Sequence, residues 1–222
     1  MYLLRTFTKT LLLLLALSLP IGLLAEQIKS VESAARCQIA LTTIFKNEGG
    51  FQKLKNDSGN WTGGKIGVGR LVGTKYGICA ASYPKVDIPN LTLQEAARYY
   101  QRDYWNPLHL GDIKSQWLAT MFLDTAVNCG TGTAAILIVR TSNVLNGQEE
   151  DSPADPALTA KEVDWINAYT KTRWYEGEKD KSRRALFGAV FKEMRSRRYV
   201  AIVRHDPKKL VWLPTWMERV YE

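Results

Sequence analysis

Histidine and cysteine are scarce in this 222-residue chain, at two and three residues. No CxxC pair and no HExxH motif occurs, which leaves little from which a zinc site could be built. A phosphate-cradling Gly-rich motif and a dinucleotide fingerprint are also missing. Low-complexity tracts are absent and, with 45% apolar and 23% charged residues, a disordered or fibrous chain is excluded. Neither charge sign dominates, but 30 Lys and Arg against 22 Asp and Glu give +8. That surplus suits an anionic partner: nucleic acid, acidic lipid or a polyanionic cell wall. The length allows one domain, or one domain with a small appendage.

Residues 1–25 read as an address. Arg5 and Lys9 precede an uncharged run from Thr10 to Ala25, with Leu11–Leu15 unbroken, the pattern of a secretory signal peptide. The run is shorter than the ~18–20 residues that span a bilayer comfortably, so a retained inner-membrane anchor is the weaker alternative. Its removal takes away two cations and no anion, and the mature chain remains basic. The expected location is therefore periplasmic or secreted. Cys37, Cys79 and Cys129 lie beyond the leader, and either one pair or three buried thiols is compatible with that compartment.

The mature chain reads as mainly α, an α+β arrangement in which a helical bundle carries a small β or loop element. Residues 34–48 form the first helical pattern, with Cys37, Leu41, Ile44, Phe45 and Glu48 on one face and Gly49-Gly50 ending it. Residues 51–90 are Gly-rich and lack a helical period; short strands are expected around Lys65–Val72 and Tyr76–Ile78. Thr92 and Glu95 make a capping box for a helix whose stripe is Leu93, Ala96, Ala97 and Tyr100. Further helices are expected at 114–128, with Trp117, Leu118, Met121, Phe122 and Thr125 inward, and at 133–145. An acidic loop follows at 147–157, then helices at 159–176 and at 184–200, where Leu186, Phe187, Val190, Phe191 and Met194 repeat.

Glu48 is the most informative carboxylate. It falls on the apolar stripe of its helix, where desolvation disfavours the charged form and raises the pKa. A carboxylic acid that keeps its proton near neutral pH is what protonation of a glycosidic oxygen requires. Gly49-Gly50 turns the backbone away and leaves room for a bulky polymer. Taken alone, a Glu at a helix end that simply reaches water explains the position better.

The surrounding residues add a family likeness. The chain reads Asn47-Glu48-Gly49-Gly50-Phe51, then Asn56-Asp57-Ser58-Gly59-Asn60-Trp61-Thr62-Gly63-Gly64, then Gly73-Thr74-Lys75-Tyr76-Gly77-Ile78. Arg102-Asp103-Tyr104-Trp105 and Phe122-Leu123-Asp124-Thr125-Ala126-Val127-Asn128-Cys129-Gly130 follow. This order resembles the glycoside hydrolase family 108 muramidases, lysozyme-like enzymes of phage lysis cassettes and of muramidase-assisted protein secretion. Their pattern is an E-G-G-[YF] helix end, a D-x-G-rich loop, T-x-[YFW]-G-[IV], a Y-W element and an F-D-x-A-V-N-x-G helix.

The resemblance implies a lysozyme-like domain at 34–130 with Glu48 as the catalytic acid. Asp57 is a candidate second carboxylate, or the cap of a turn. Thr74 is a candidate to hold a water against the far face of the sugar, or a strand Thr bonded to backbone. Trp61, Tyr76, Gly77 and Trp105 are candidate saccharide contacts, and Asp124 and Asn128 are expected in a polar network under the cleft. Residues 131–200 resemble the family's predicted peptidoglycan-binding segment, followed by a tail at 201–222. The family's D-G-x-x-G-x-x-T pattern is reduced here to Asp155-Pro156-Ala157-Leu158-Thr159, so these helices are expected to complete the fold.

The resulting expectation is an exported N-acetylmuramidase acting on peptidoglycan glycan strands, with no metal or organic cofactor, no nucleic acid and no obligate protein partner. Two alternatives stay open: a lytic transglycosylase, in which the muramyl 6-hydroxyl replaces water, and a non-catalytic wall-binding module.

Overall fold

The computed structural model describes residues 21–47, 50–150, 158–171, 173–176 and 179–221. Glu48, residues 1–20 of the leader and most of the acidic loop lie outside the described residues. The elements, in chain order, are α1 (Ile21–Asn47), β1 (Thr74–Lys75), β2 (Ile78–Cys79), α2 (Leu93–Tyr100), α3 (Gln116–Cys129), α4 (Thr131–Leu145), α5 (Ala160–Lys171), β3 (Arg173–Glu176), β4 (Lys179–Ser182), α6 (Arg183–His205) and α7 (Leu213–Tyr221). The structure is thus mainly helical. Among the described residues no helix is long and apolar enough to cross a membrane.

The second half of α1 is the spine on which the site is built. Cys37, Ala40, Leu41 and Ile44 recur at helical spacing and are buried, while Leu23, Ile28 and Val31 in the first half are exposed. The middle of the helix is clamped to the segment that leads into α3. Arg36 donates to the carbonyls of Gly111 and Ile113 and to Gln116 Oε1, and Gln116 returns a bond to the Arg36 carbonyl at 3.0 Å. Trp105 Nε1 donates to Ser33 Oγ at 3.0 Å. A Cβ at Gly111 would lie 2.0 Å from that Ser33 oxygen, so this contact exists only because the residue is glycine.

Between α1 and α2 the chain forms turns rather than strands. Lys65–Val72, expected to pair, contributes only the Trp61–Leu71 bridge; the actual strands are the two-residue β1 and β2, antiparallel with Lys75 opposite Ile78. Tyr76 and Gly77 connect them with φ of 51° and 73°, the positive pair that a type I′ turn requires. Turn chemistry therefore displaced the strands by a few residues from the hydrophobic pattern.

The capping box of α2 is present: Glu95 N donates to Thr92 Oγ1 at 3.2 Å and Thr92 N to Glu95 Oε2 at 2.8 Å. Leu93 is exposed, because only Ala96, Ala97 and Tyr100 face the core. The helix continues through a π turn at Gln101–Trp105, which rotates Trp105 into the interior.

Helices α3, α4 and α6 surround an interior continuous from Cys37 to Met194. Phe122 packs edge-on to Phe191, with ring centroids 4.9 Å apart, and lies 5.9 Å from Phe187. Leu186, on the solvent side of that stripe, is exposed. Trp117, expected inward, is 46% exposed, with the far edge of its indole against Gly188 of α6. The pattern expected to be helical at 159–176 stops at Lys171, since Arg173–Glu176 pairs with Lys179–Ser182 instead. The tail is also ordered into Pro207–Trp212 and α7, and α7 packs on α6.

Candidate active site

The end of α1, the Gly-rich segment and the β1–β2 turn converge through Tyr100. Its hydroxyl donates to the Tyr76 carbonyl at 3.0 Å, and Phe45 packs edge-on against its ring at 5.4 Å. Phe45 also meets the Tyr76 ring at 6.5 Å. The last turn of α1, which leads into Glu48, is thereby held against the turn that carries Tyr76 and Gly77.

Beside that turn a hydrogen-bond chain links two of the candidate catalytic residues. Thr74 Oγ1 donates to Asn60 Oδ1 at 2.7 Å, Asn60 Nδ2 donates to Gln52 Oε1 at 2.9 Å, and Gln52 Nε2 donates to Asp57 Oδ2 at 3.1 Å. Asn60 Nδ2 also donates to the Leu54 carbonyl at 3.0 Å, so both amide hydrogens are committed and Oδ1 must accept. Backbone pairing fixes the frame, because Gln52 and Thr74 exchange bonds of 2.9 and 2.8 Å. Gly73 makes that approach possible: its φ is 116°, and a Cβ would stand 2.6 Å from the Gln52 carbonyl.

Asp57 has a local duty as well. Its Oδ1 accepts from Gly59 N at 2.9 Å and caps the short helix Ser58–Asn60. Both readings of this residue therefore describe parts of one carboxylate, a turn cap on one oxygen and the end of the chain from Thr74 on the other.

The other candidates separate. Trp61 is half-buried with its indole N–H donating to the Lys55 carbonyl at 2.9 Å. Tyr76 is half-buried, with Lys75 Nζ 5.4 Å from its ring centroid, and Gly77 is exposed. Trp105 is fully buried, so its faces are closed to a saccharide and it is a core residue. Asp124 is ion-paired to Arg195 Nη1 at 2.7 Å and to Arg219 Nε at 2.8 Å. Asn128 Nδ2 donates to the Asp124 carbonyl at 2.8 Å. These two residues are bonded to each other and, through Asp124, to two arginines of the C-terminal helices.

Gln52, Asn60, Arg195 and Arg219 escaped sequence reasoning. The signal for Arg195 was available: it stands four residues after Phe191 on the apolar stripe, where a charge needs a partner. Burial is the largest influence and works against its charge, but the Asp124 carboxylate and the Tyr199 hydroxyl together outweigh it, and its pKa rises above the ordinary arginine value. The three cysteines are free thiols; burial pushes Cys37 up to about 12, and Cys129 Sγ donates to Tyr199 Oη. Among the described residues no group of three or more His, Cys, Asp or Glu could hold a metal ion.

Comparison with known proteins places this geometry. No curated protein matches the chain. Among solved structures it is similar to that of Brucella abortus SagA, at a TM-score of 0.56 and 19% identity, over 83% of this chain and 89% of that one. That likeness bears out the mainly helical fold. Residues 41–130, which carry Asp57, Thr74, Asp124 and Asn128, match the glycosyl hydrolase 108 family, as their motifs led us to expect, and the match supports a glycoside hydrolase.

Proposed function

We propose that this chain is an exported peptidoglycan hydrolase, an N-acetylmuramidase that cleaves the β-1,4 bond between N-acetylmuramic acid and N-acetylglucosamine. Glu48 protonates the leaving oxygen as the glycosidic bond breaks, water attacks the anomeric carbon from the opposite face, and the proton that this water sheds passes to bulk solvent. The observation that carries this reading is the directed chain from Thr74 to Asp57. An ionised carboxylate only accepts, so Asp57 at its end orients every donor toward itself. Thr74 thereby gives its hydrogen to Asn60 and keeps a lone pair for a water O–H. A water held that way turns its own lone pair outward, toward a sugar laid beside the β1–β2 turn. Attack by a positioned water on an oxocarbenium-like carbon inverts the configuration. Asp57 then acts as a positioning residue. Export rests on Arg5 and Lys9 ahead of the uncharged run, and the basic surface suits an anionic wall.

Purified sacculi test this reading. Wild type should clear them, and Glu48→Gln should lose ~10²–10⁴-fold in rate, the usual contribution of a general acid. Equal clearing by both ends the role of Glu48. Mass spectrometry of the products should show reducing muramyl ends; 1,6-anhydromuramyl ends would identify a lytic transglycosylase instead.

A further inference from the structure

The tail after α6 carries apolar residues in two groups, and the core takes only one of them. In α7, Leu213, Trp216, Met217 and Val220 recur at helical spacing. Trp216 stacks on Tyr199 of α6 with ring centroids 5.2 Å apart, and Val220 is buried. Leu210, Val211 and Trp212, in the short helix Pro207–Trp212, are instead 59%, 71% and 58% exposed. Three consecutive apolar residues in water add nothing to the core, and such a run marks a contact surface. Cations accompany it. Arg204 lies in the last turn of α6, Lys208 and Lys209 immediately precede Leu210, and all three are exposed. Asp206 is the one carboxylate in residues 204–212. Its Oδ1 accepts from Lys208 N at 3.3 Å as the cap of the short helix, and its Oδ2 lies 3.9 Å from Lys209 Nζ. Among the described residues Arg204 and Lys208 have no ion pair.

We propose that Lys208–Trp212 is a docking surface for an anionic phospholipid membrane, with Leu210, Val211 and Trp212 entering the headgroup boundary and the two lysines on lipid phosphate. A hydrated wall polymer offers Leu210 and Val211 no apolar partner, and a second copy of this chain would set the lysines against like charges. A lipid surface satisfies both halves: acyl chains take the aliphatic side chains, headgroups take the lysines, and the boundary suits an indole with an apolar ring and a polar N–H. A six-residue helix is too short to cross a bilayer, so the contact is peripheral. It is independent of the muramidase reading.

Cosedimentation of residues 26–222 with lipid vesicles tests it. Residues 25–32 of α1 are all exposed, so this chain keeps the whole core and lacks the apolar leader, which would bind lipid by itself. Vesicles of equal parts phosphatidylcholine and phosphatidylglycerol should bind it, and vesicles of phosphatidylcholine alone should bind it more weakly. Trp212→Ala should weaken binding to the mixed vesicles about tenfold, the contribution of one large apolar side chain removed from water. Lys208→Gln combined with Lys209→Gln should weaken it by about tenfold at low salt and reduce its salt dependence. Val211→Ser, at the most exposed of the three apolar positions, should weaken binding with no change in thermal unfolding, and it is read if the tryptophan variant fails to fold. No binding to the mixed vesicles, undiminished binding by either folded variant, or binding to pure phosphatidylcholine as tight as to the mixture overturns the assignment. A dimer dissolved by Trp212→Ala, without vesicle binding, would make the patch a self-contact. Retention on sacculi that Trp212→Ala abolishes, again without vesicle binding, would make it a wall contact; either result overturns the proposal.

Discussion

The hydroxyl of Thr74 and the carboxamide of Asn60 are joined across 2.7 Å, and Asn60 is completely buried. The bond ties β1 to the capped helix Ser58–Asn60, fourteen residues earlier, and it sets the direction in which Thr74 can bond a water. Thr74→Val keeps the β-branched shape and removes the donor, leaving Asn60 Oδ1 unsatisfied. We expect a loss of ~1–3 kcal/mol in urea unfolding and a larger relative loss of sacculus clearing. Thr74→Ser should restore both. A Val variant that clears at the wild-type rate would remove Thr74 from the mechanism.

Trp117 rests on Gly188 without a gap. A Cβ at position 188 would lie 2.1 Å from Trp117 Cη2, so Gly188→Ala must displace the indole. The expected cost is ~1–3 kcal/mol, the range for overpacking. Trp117→Ala removes the obstacle, and in that background the alanine at 188 should cost far less. A double-mutant cycle by thermal unfolding measures the difference, and additive effects would contradict the contact.

Asp124 holds Arg195 and Arg219 together. Asp124→Ala leaves the Arg195 charge buried beside Arg219, and we expect a loss of ~3–5 kcal/mol in unfolding free energy. Asp124→Asn should retain part of that through its carbonyl oxygen. A mild effect of the alanine variant would mean that solvent reaches Arg195.

Two groups give stability a pH dependence of predictable sign. The Arg102 guanidinium beside Asp103 holds that carboxyl below its ordinary value, with Tyr83 donating to it at 2.7 Å. The stability it contributes is present above the unfolded pKa near 3.9 and is lost as pH falls through the lower folded value. Its size is modest, since Arg102 is largely exposed. Asp103→Asn should flatten the acid limb of a stability–pH curve. At the other end, Cys37 is pushed up to about 12 by burial, so the unfolded chain deprotonates first and stability falls above about pH 8.5. Alkylation of the native protein at pH 8 should leave Cys37 unmodified while denatured protein reacts at all three thiols.

Much of the fold was legible because periodicity reports local burial directly. The capping box at Thr92 and the apolar repeat of Cys37, Leu41 and Ile44 emerged as read. Leu93, Trp117 and Leu186 were misread for a common reason. Each sits at the edge of its stripe, where exposure depends on which neighbour arrives, and Trp117 meets a glycine that admits the indole edge while the rest stays in view of solvent. The strands moved because positive φ at Tyr76 and Gly77 decides the turn, and apolar content does not reveal it.

Sequence alone determined the helical class, the order of the motifs from Asn47 to Gly130 and the residue types the chemistry needs. Each of these depends on near neighbours in the chain, which spacing encodes. Tertiary structure alone decided that Trp105 is core, that Thr74 reaches Asp57 through Asn60 and Gln52, and that Asp124 meets arginines 71 and 95 residues away. A buried hydrogen bond or ion pair is set by which surfaces pack together, and side chains so far apart in sequence carry no local mark of their meeting.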